Sequence, residues 1–97
     1  MPQYILLGNW TDQGIRQVKD TVQRGQQFQQ LVQQAGGQVH GIFWTQGRYD
    51  VAARLEVDND ETMTVIALRL GSSGNIRTET LRAFTADEMQ GIVAKLG

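Results

Sequence analysis

The chain has no cysteine and a single histidine in 97 residues. Without cysteine there is no disulfide framework, no thiolate nucleophile and no thiolate metal site. A zinc or iron centre would have to be assembled from carboxylates and His40 alone, a poor ligand set for a dedicated site, so neither a metal nor a cofactor is expected. A basic cluster is missing as well. Nine Lys and Arg against ten Asp and Glu give a net charge of -1, with an isoelectric point near 5.7. That balance argues against nucleic acid or an anionic membrane as a partner, since both demand clustered positive charge. Long apolar runs are also absent. "MPQYILLGNW" has too short a run and no basic flank for a signal peptide, and nothing approaches a membrane span, so the expected setting is cytoplasmic.

What remains is a single domain over residues 1–97. A chain this small buries only about 60 to 65% of the surface that its unfolded form exposes, which leaves a thin core. A second copy can supply the missing apolar burial, so the expected partner is the protein itself, as a homodimer or a higher homo-oligomer.

Along the chain, "QYILLGN" reads as a strand buried on both faces and central in a sheet. Ile15, Val18, Val22, Phe28, Val32 and Ala35 recur at helical spacing, with Arg16, Lys19, Asp20, Arg24 and many glutamines opposite, and predict one amphipathic helix. Gly25 lies on its apolar stripe, which implies close approach to the sheet, and Gly36 and Gly37 stop it. "QVHGIFWT" and "YDVAARLEV" flank a glycine-containing turn and predict a β-hairpin. "DNDE" at Asp58 to Glu61 opens a second helix with the stripe Met63, Ile66, Ala67 and Leu70, closed by Gly71. "GSSGN" is read as a cap and turn rather than an anion-binding loop, because it follows a helix instead of opening one. "IRTETLRAF" is a fourth strand, and "TADE" at Thr85 to Glu88 fits a capping box for a last short helix bearing Met89, Ile92, Val93 and Leu96. The order β-α-β-β-α-β plus a C-terminal helix predicts an α+β, ferredoxin-like sheet with helices on one face and the other face open.

A two-residue type II′ turn at Gly47-Arg48 would set Trp44 opposite Val51, Ile42 opposite Ala53 and His40 opposite Leu55. Those residues, with Tyr49 and Val57, would then face the helices. Val39, Phe43, Asp50, Ala52, Arg54 and Glu56 would take the open face; a slip of one residue would instead put His40 beside Glu56. Large apolar groups on both faces predict that two sheets pack together across a two-fold axis as a dimeric α/β barrel. Asp50, Arg54 and Glu56 would border the resulting inter-sheet cavity, the expected pocket.

"NWTDQGI", "GRYD" and "LGSSGNIRTETLRAF" together resemble the GYD domain family, whose Gly-Tyr-Asp pattern is supplied by Gly47, Tyr49 and Asp50. The resemblance spans nearly the whole chain and implies kinship with dimeric α/β-barrel proteins. Their distant fold relatives include cofactor-independent monooxygenases, haem-handling proteins and isomerases, and fold alone does not choose among them.

Three residues are weak catalytic candidates. Tyr49 and Asp50 carry a donor and an acceptor suited to proton transfer, although turn formation and packing explain both. His40 carries an imidazole, a side chain suited to acid or base work, yet no serine motif or second histidine accompanies it, and a strand histidine satisfied by one hydrogen bond is the favoured reading. For ligand binding the expected residues are Trp10, Asp50, Arg54 and Arg77: the arginines to hold an anionic group, Asp50 to position one of them, and Trp10 to cover an apolar part. The leading functional reading is a small homodimeric binding or regulatory module for a small organic, possibly anionic, ligand. The alternatives are a cofactor-independent oxygenase or isomerase and a purely structural interaction protein.

Overall fold

The computed structural model describes all 97 residues, Met1–Gly97. Strand β1 (Gln3–Trp10) leads into a short helix α1 (Asp12–Arg16), a 3₁₀ stretch (Val18–Asp20) and helix α2 (Thr21–Gln34). Strands β2 (Gln38–Trp44) and β3 (Val51–Glu56) form the hairpin, and the chain continues through α3 (Asp60–Ser72), β4 (Ile76–Ala83) and α4 (Ala86–Ala94). The four strands form one antiparallel sheet in the order β2-β3-β1-β4, with β1 and β3 central. This is the ferredoxin-like arrangement expected from the element order. No helix is long and apolar enough to cross a membrane.

One face of the sheet carries the core. Tyr4, Leu6, Ala53, Leu55 and Val57 project from the central strands against Phe28 and Val32 of α2 and Met63 and Ile66 of α3. Fully burying a Val, Leu or Ile side chain contributes about 1.5 to 3 kcal/mol, so Leu55, Ile66, Val32 and Val57, all sealed from solvent, anchor the fold. Only the alternate residues of β1 are buried; Ile5 and Leu7, on the other face, are half-exposed.

The predicted caps are present. Asn59 accepts from the Thr62 N–H to start α3. Thr85 and Glu88 exchange both hydrogen bonds of a capping box at α4. Beyond α2, Gly36 takes φ +82°, the left-handed conformation that ends a helix without steric cost. Gly25 sits where a Cβ would lie 3.4 Å from the Trp44 ring and 3.7 Å from Ile42, the close approach its place on the apolar stripe implied.

Four expectations are corrected. The first helix is not continuous from Ile15: α1 and α2 are separated by the 3₁₀ stretch, and Ile15, Val18 and Val22 remain exposed. Gly14, near the start of the segment, is held against Asn75, whereas α2 packs on the core through Phe28 and Val32. Second, α3 runs one residue past Gly71, to Ser72, and ends at Gly74 with φ +82°. Third, the hairpin loop is wider than two residues. The Thr45 N–H donates to the Asp50 carbonyl at 2.8 Å, and residues 46–49 form the connection, with Gly47 at φ +102°. Fourth, the register matches expectation only near the loop.

Trp44 pairs with Val51, Phe43 with Ala52 and Ile42 with Ala53, but an irregularity between Val39 and Gly41 shifts the pairing at the far end of the hairpin. A glycine inside a strand marks a bulge, and here His40 is the extra residue. Val39 therefore pairs with Leu55 and packs on the core. His40 turns to Glu56, its Nε2 lying 2.9 Å from Oε1. Tyr49 also departs from its expected side, since its hydroxyl donates to Glu79 on the open face of β4.

The N-terminal end of α3 is tied to β1 by a hydrogen bond from the buried Tyr4 hydroxyl to Asp60. Burial, and then this bond, push the hydroxyl up to about 12. The unfolded chain sheds that proton near pH 10 while the folded chain keeps it, so stability is lost as the pH climbs from about 10 to about 12. Urea midpoints of wild type should fall over that range, and Tyr4→Phe should fall less; parallel decline of the two would show that Tyr4 does not carry the effect.

Candidate functional site

The three sequence motifs at "NWTDQGI", "GRYD" and "GSSGN" meet at one end of the sheet. After Gly8, β3 no longer continues its ladder with β1, and Asp50 takes over. Its N–H donates to the Gly8 carbonyl at 2.9 Å, and its carboxylate accepts from the Trp10 N–H at 3.0 Å. One residue thus supplies a donor and an acceptor where a further strand residue would have done so, and the end of β1 stays paired.

On the opposite side Asn75 performs a similar service. Its carbonyl accepts from the Thr11 N–H at 3.1 Å. The Thr11 hydroxyl donates to the Gly74 carbonyl at 2.6 Å and accepts from the Gly14 N–H, which caps α1. Gln13 adds a side-chain bond to Asn75 at 3.0 Å. Gly14 is pressed so closely on this loop that a Cβ would lie 1.8 Å from the Asn75 oxygen. No other residue fits there without moving backbone.

These contacts frame a hollow of about 240 Å³ between the sheet and the helices. Its floor is Leu6, Gly8, Val51, Ala53 and Ile42; α2 contributes Arg24, Gly25, Phe28 and Leu31; α3 contributes Arg69 and Leu70; and Trp10, Trp44 and Ile76 close its ends. Two glycines shape its walls. Gly8 lets the Ile76 side chain lie directly on β1, where a Cβ would come within 2.6 Å of that isoleucine. Gly25 lets the Trp44 ring lie along α2, with its indole N–H donating to Thr21 at 2.9 Å. The hollow is on the helix side of the sheet, opposite the face where an inter-sheet cavity was expected. The open face of the single chain carries a wider and more open depression, of about 410 Å³, bordered by Gln3, Ile5, Arg54, Ala83, Phe84 and Thr85.

Of the expected binding residues, the structure brings Trp10 and Asp50 together, with Trp10 lining the hollow and Asp50 fixing its amide. Asp50 therefore bonds backbone, not Arg54. Arg54 lies on the open face and donates to the Gln3 side chain at 3.3 Å. Arg77 is exposed on the edge strand, its Nη1 3.7 Å from where a Cβ on Gly71 would sit. The catalytic candidates are dispersed. His40 is engaged by Glu56, and Tyr49 by Glu79, a bond that raises the phenol's pKa and leaves it a donor rather than a base near neutral pH. None of His40, Tyr49 or Asp50 lines the hollow.

The sequence pattern missed Arg24, Trp44 and Arg69 as site residues. Arg24 reads as part of a solvated helix face and Trp44 as core. The available signal was the flanking pattern, with each arginine next to a small or apolar residue of the inward stripe: Arg24 beside Gly25, and Arg69 beside Leu70.

Removing the Asp50 carboxylate leaves the half-buried Trp10 N–H without a partner, a loss of about 1 to 3 kcal/mol. Asp50→Ala should be destabilised by that amount in urea unfolding and Asp50→Asn, which keeps an acceptor oxygen, by much less; equal losses would contradict the role. Gly14→Ala should lose more than Gly91→Ala, which meets open space and removes a helical glycine, gaining up to about 1 kcal/mol.

A search of curated proteins finds no match to this chain. The GYD domain model matches residues 4–93, a span that begins in β1, ends in α4 and contains all three motifs that meet at the end of β1. The chain belongs to the GYD domain family.

Proposed function

We propose that the protein is a small homodimeric module that binds a small organic molecule in the hollow between its sheet and its helices. The observation that carries this reading is the hollow itself. Ligand sites are concave, largely apolar and furnished with few polar groups, and this one has an aliphatic and aromatic floor, two indoles at its ends and polar groups at its rim. A cavity of about 150 Å³ lined by apolar side chains takes up benzene, so about 240 Å³ accommodates one ring with a short side chain. The proton-transfer alternative draws less support, because its candidate residues are turned away from this space.

Pairing is supported by unspent surface. A compact monomer of 10.8 kDa exposes about 5,500 Å² by the usual scaling, whereas this chain exposes 6583 Å². The excess of roughly 1,000 Å² is comparable with what one partner contributes to a standard interface, about 800 Å². Two apolar stretches contribute to it. The open sheet face presents Phe43 at 65% and Leu81 at 43% exposure, beside Ile5, Leu7 and Ala52. Helix α4 carries Met89, Ile92 and Val93, with Leu96 just beyond its end, all exposed, and the molecule is drawn out to 52 × 30 × 18 Å. Two-fold pairing of the open faces would cover the first, and the arm formed by α4 is available to lie along the second copy.

Native mass spectrometry of protein purified from its own host tests both parts at once. The expected species has twice the 10.8 kDa chain mass plus that of two small molecules, one per chain, and Thr78→Trp, which fills the hollow, should lose the added mass. A species of single-chain mass would overturn the pairing. Added mass retained by Thr78→Trp, or none in wild type even after incubation with a library of small aromatic compounds, would overturn the site. Leu81→Glu should shift the dimer toward monomer in light scattering while the far-ultraviolet spectrum is kept.

A further inference from the structure

We infer that the ligand of this hollow is an anion: a compact, apolar, ring-containing molecule that carries one carboxylate or an equivalent negative group. This rests on the hollow being the binding site and adds the chemical class of what it takes.

The distribution of charge is uneven. Ten carboxylate side chains are spread over the chain, outnumbering its nine Lys and Arg. Among the residues lining the hollow there are two arginines, Arg24 and Arg69, and no Asp or Glu. The hollow thus holds no more than a proportional share of the cations but none of the ten carboxylates, so it is locally positive in a protein of net charge -1. The two cations come from different helices, Arg24 from α2 and Arg69 from α3.

Neither arginine is neutralised by the fold. The Arg24 guanidinium is held by the side-chain oxygen of Gln17, an uncharged partner that orients it without cancelling its charge. The Arg69 guanidinium makes no hydrogen bond and no ion pair; only its backbone carbonyl is engaged, by Ser72. Guanidinium groups pair with carboxylates through two parallel N–H···O bonds, and such pairs strengthen where low-dielectric walls exclude water. The apolar floor supplies those walls. Its indole and phenyl groups suit a ring, and the limited volume excludes a long chain or a fused polycyclic body.

The chain offers a direct readout, because it has only two tryptophans and both line the hollow. A ¹⁵N-labelled sample gives two indole N–H signals, those of Trp10 and Trp44. Phenylacetate and its neutral isostere phenylacetamide are the probes. Phenylacetate should shift both indole signals saturably and bind at least about tenfold more tightly than the amide. Arg69→Gln should erase that difference while leaving the rest of the spectrum in place, since the Arg69 side chain is exposed and holds nothing. Loss of the preference on adding salt, with the amide unaffected, would agree.

Amide binding as tight as acid, or a preference undiminished in Arg69→Gln and in Arg24→Gln, would overturn the anion class while leaving the hollow as a site. If phenylacetate, phenylacetamide, benzoate and indole all leave both indole signals unmoved, the hollow is not a site for compact aromatic molecules and both readings fall.

Discussion

Everything at the working end of this protein depends on how the last residues of β1 are held after their neighbour strand has departed. An antiparallel strand that outruns its partner leaves backbone groups unpaired, and a half-buried unpaired amide costs about as much as a typical single mutation. Asp50 solves this with one residue, donating its amide to Gly8 and accepting the Trp10 N–H on its carboxylate. Asn75 completes the arrangement from β4's side by accepting the Thr11 N–H. With both bonds in place the chain turns at Thr11 into α1, Gly14 closes on Asn75, and Trp10 is set at the mouth of the hollow. The three motifs that identify the family are thus one structural unit. Their residues mostly fix backbone, and most of the side chains that line the hollow come from elsewhere.

The division of the sheet into two faces follows from the same register. On the helix side, glycines at positions 8 and 25 let the Ile76 and Trp44 side chains lie close against the backbone. On the other side, Gln3, Arg54, His40 and Glu56 form a short hydrogen-bonded chain across β1, β3 and β2. That chain pairs the polar side chains of this face with one another. Tyr49 makes a corresponding link to Glu79 at the other edge.

Much of the architecture was legible because the governing signals are local. The apolar run of β1, the stripes of α2 and α3, the caps at Asn59 and Thr85, and the pairing of Trp44 with Val51 each follow from spacing or from a side chain's own hydrogen-bonding capacity. The failures share a physical cause in single residues whose effect is not local. Gly41 allows a bulge that exchanges the faces of Val39 and His40, and no period-two pattern records an inserted residue. Ile15, Val18 and Val22 keep helical spacing although the segment is bent, because periodicity does not register a change in helix axis. The hollow itself was not foreseen, for a related reason. Arg24 and Arg69 are ordinary surface arginines in sequence, and only the meeting of α2 with α3 over the sheet makes them neighbours of one hollow.

Asp50 holds the end of β1 as if the strand continued, and amide hydrogen exchange at Trp10 reads this out bond by bond. The Trp10 N–H should be protected in wild type to nearly the degree of Leu6 in the middle of the strand, and Asp50→Ala should release Trp10 while Leu6 stays protected. A Trp10 amide that exchanges in wild type at the rate of an unstructured peptide would contradict it.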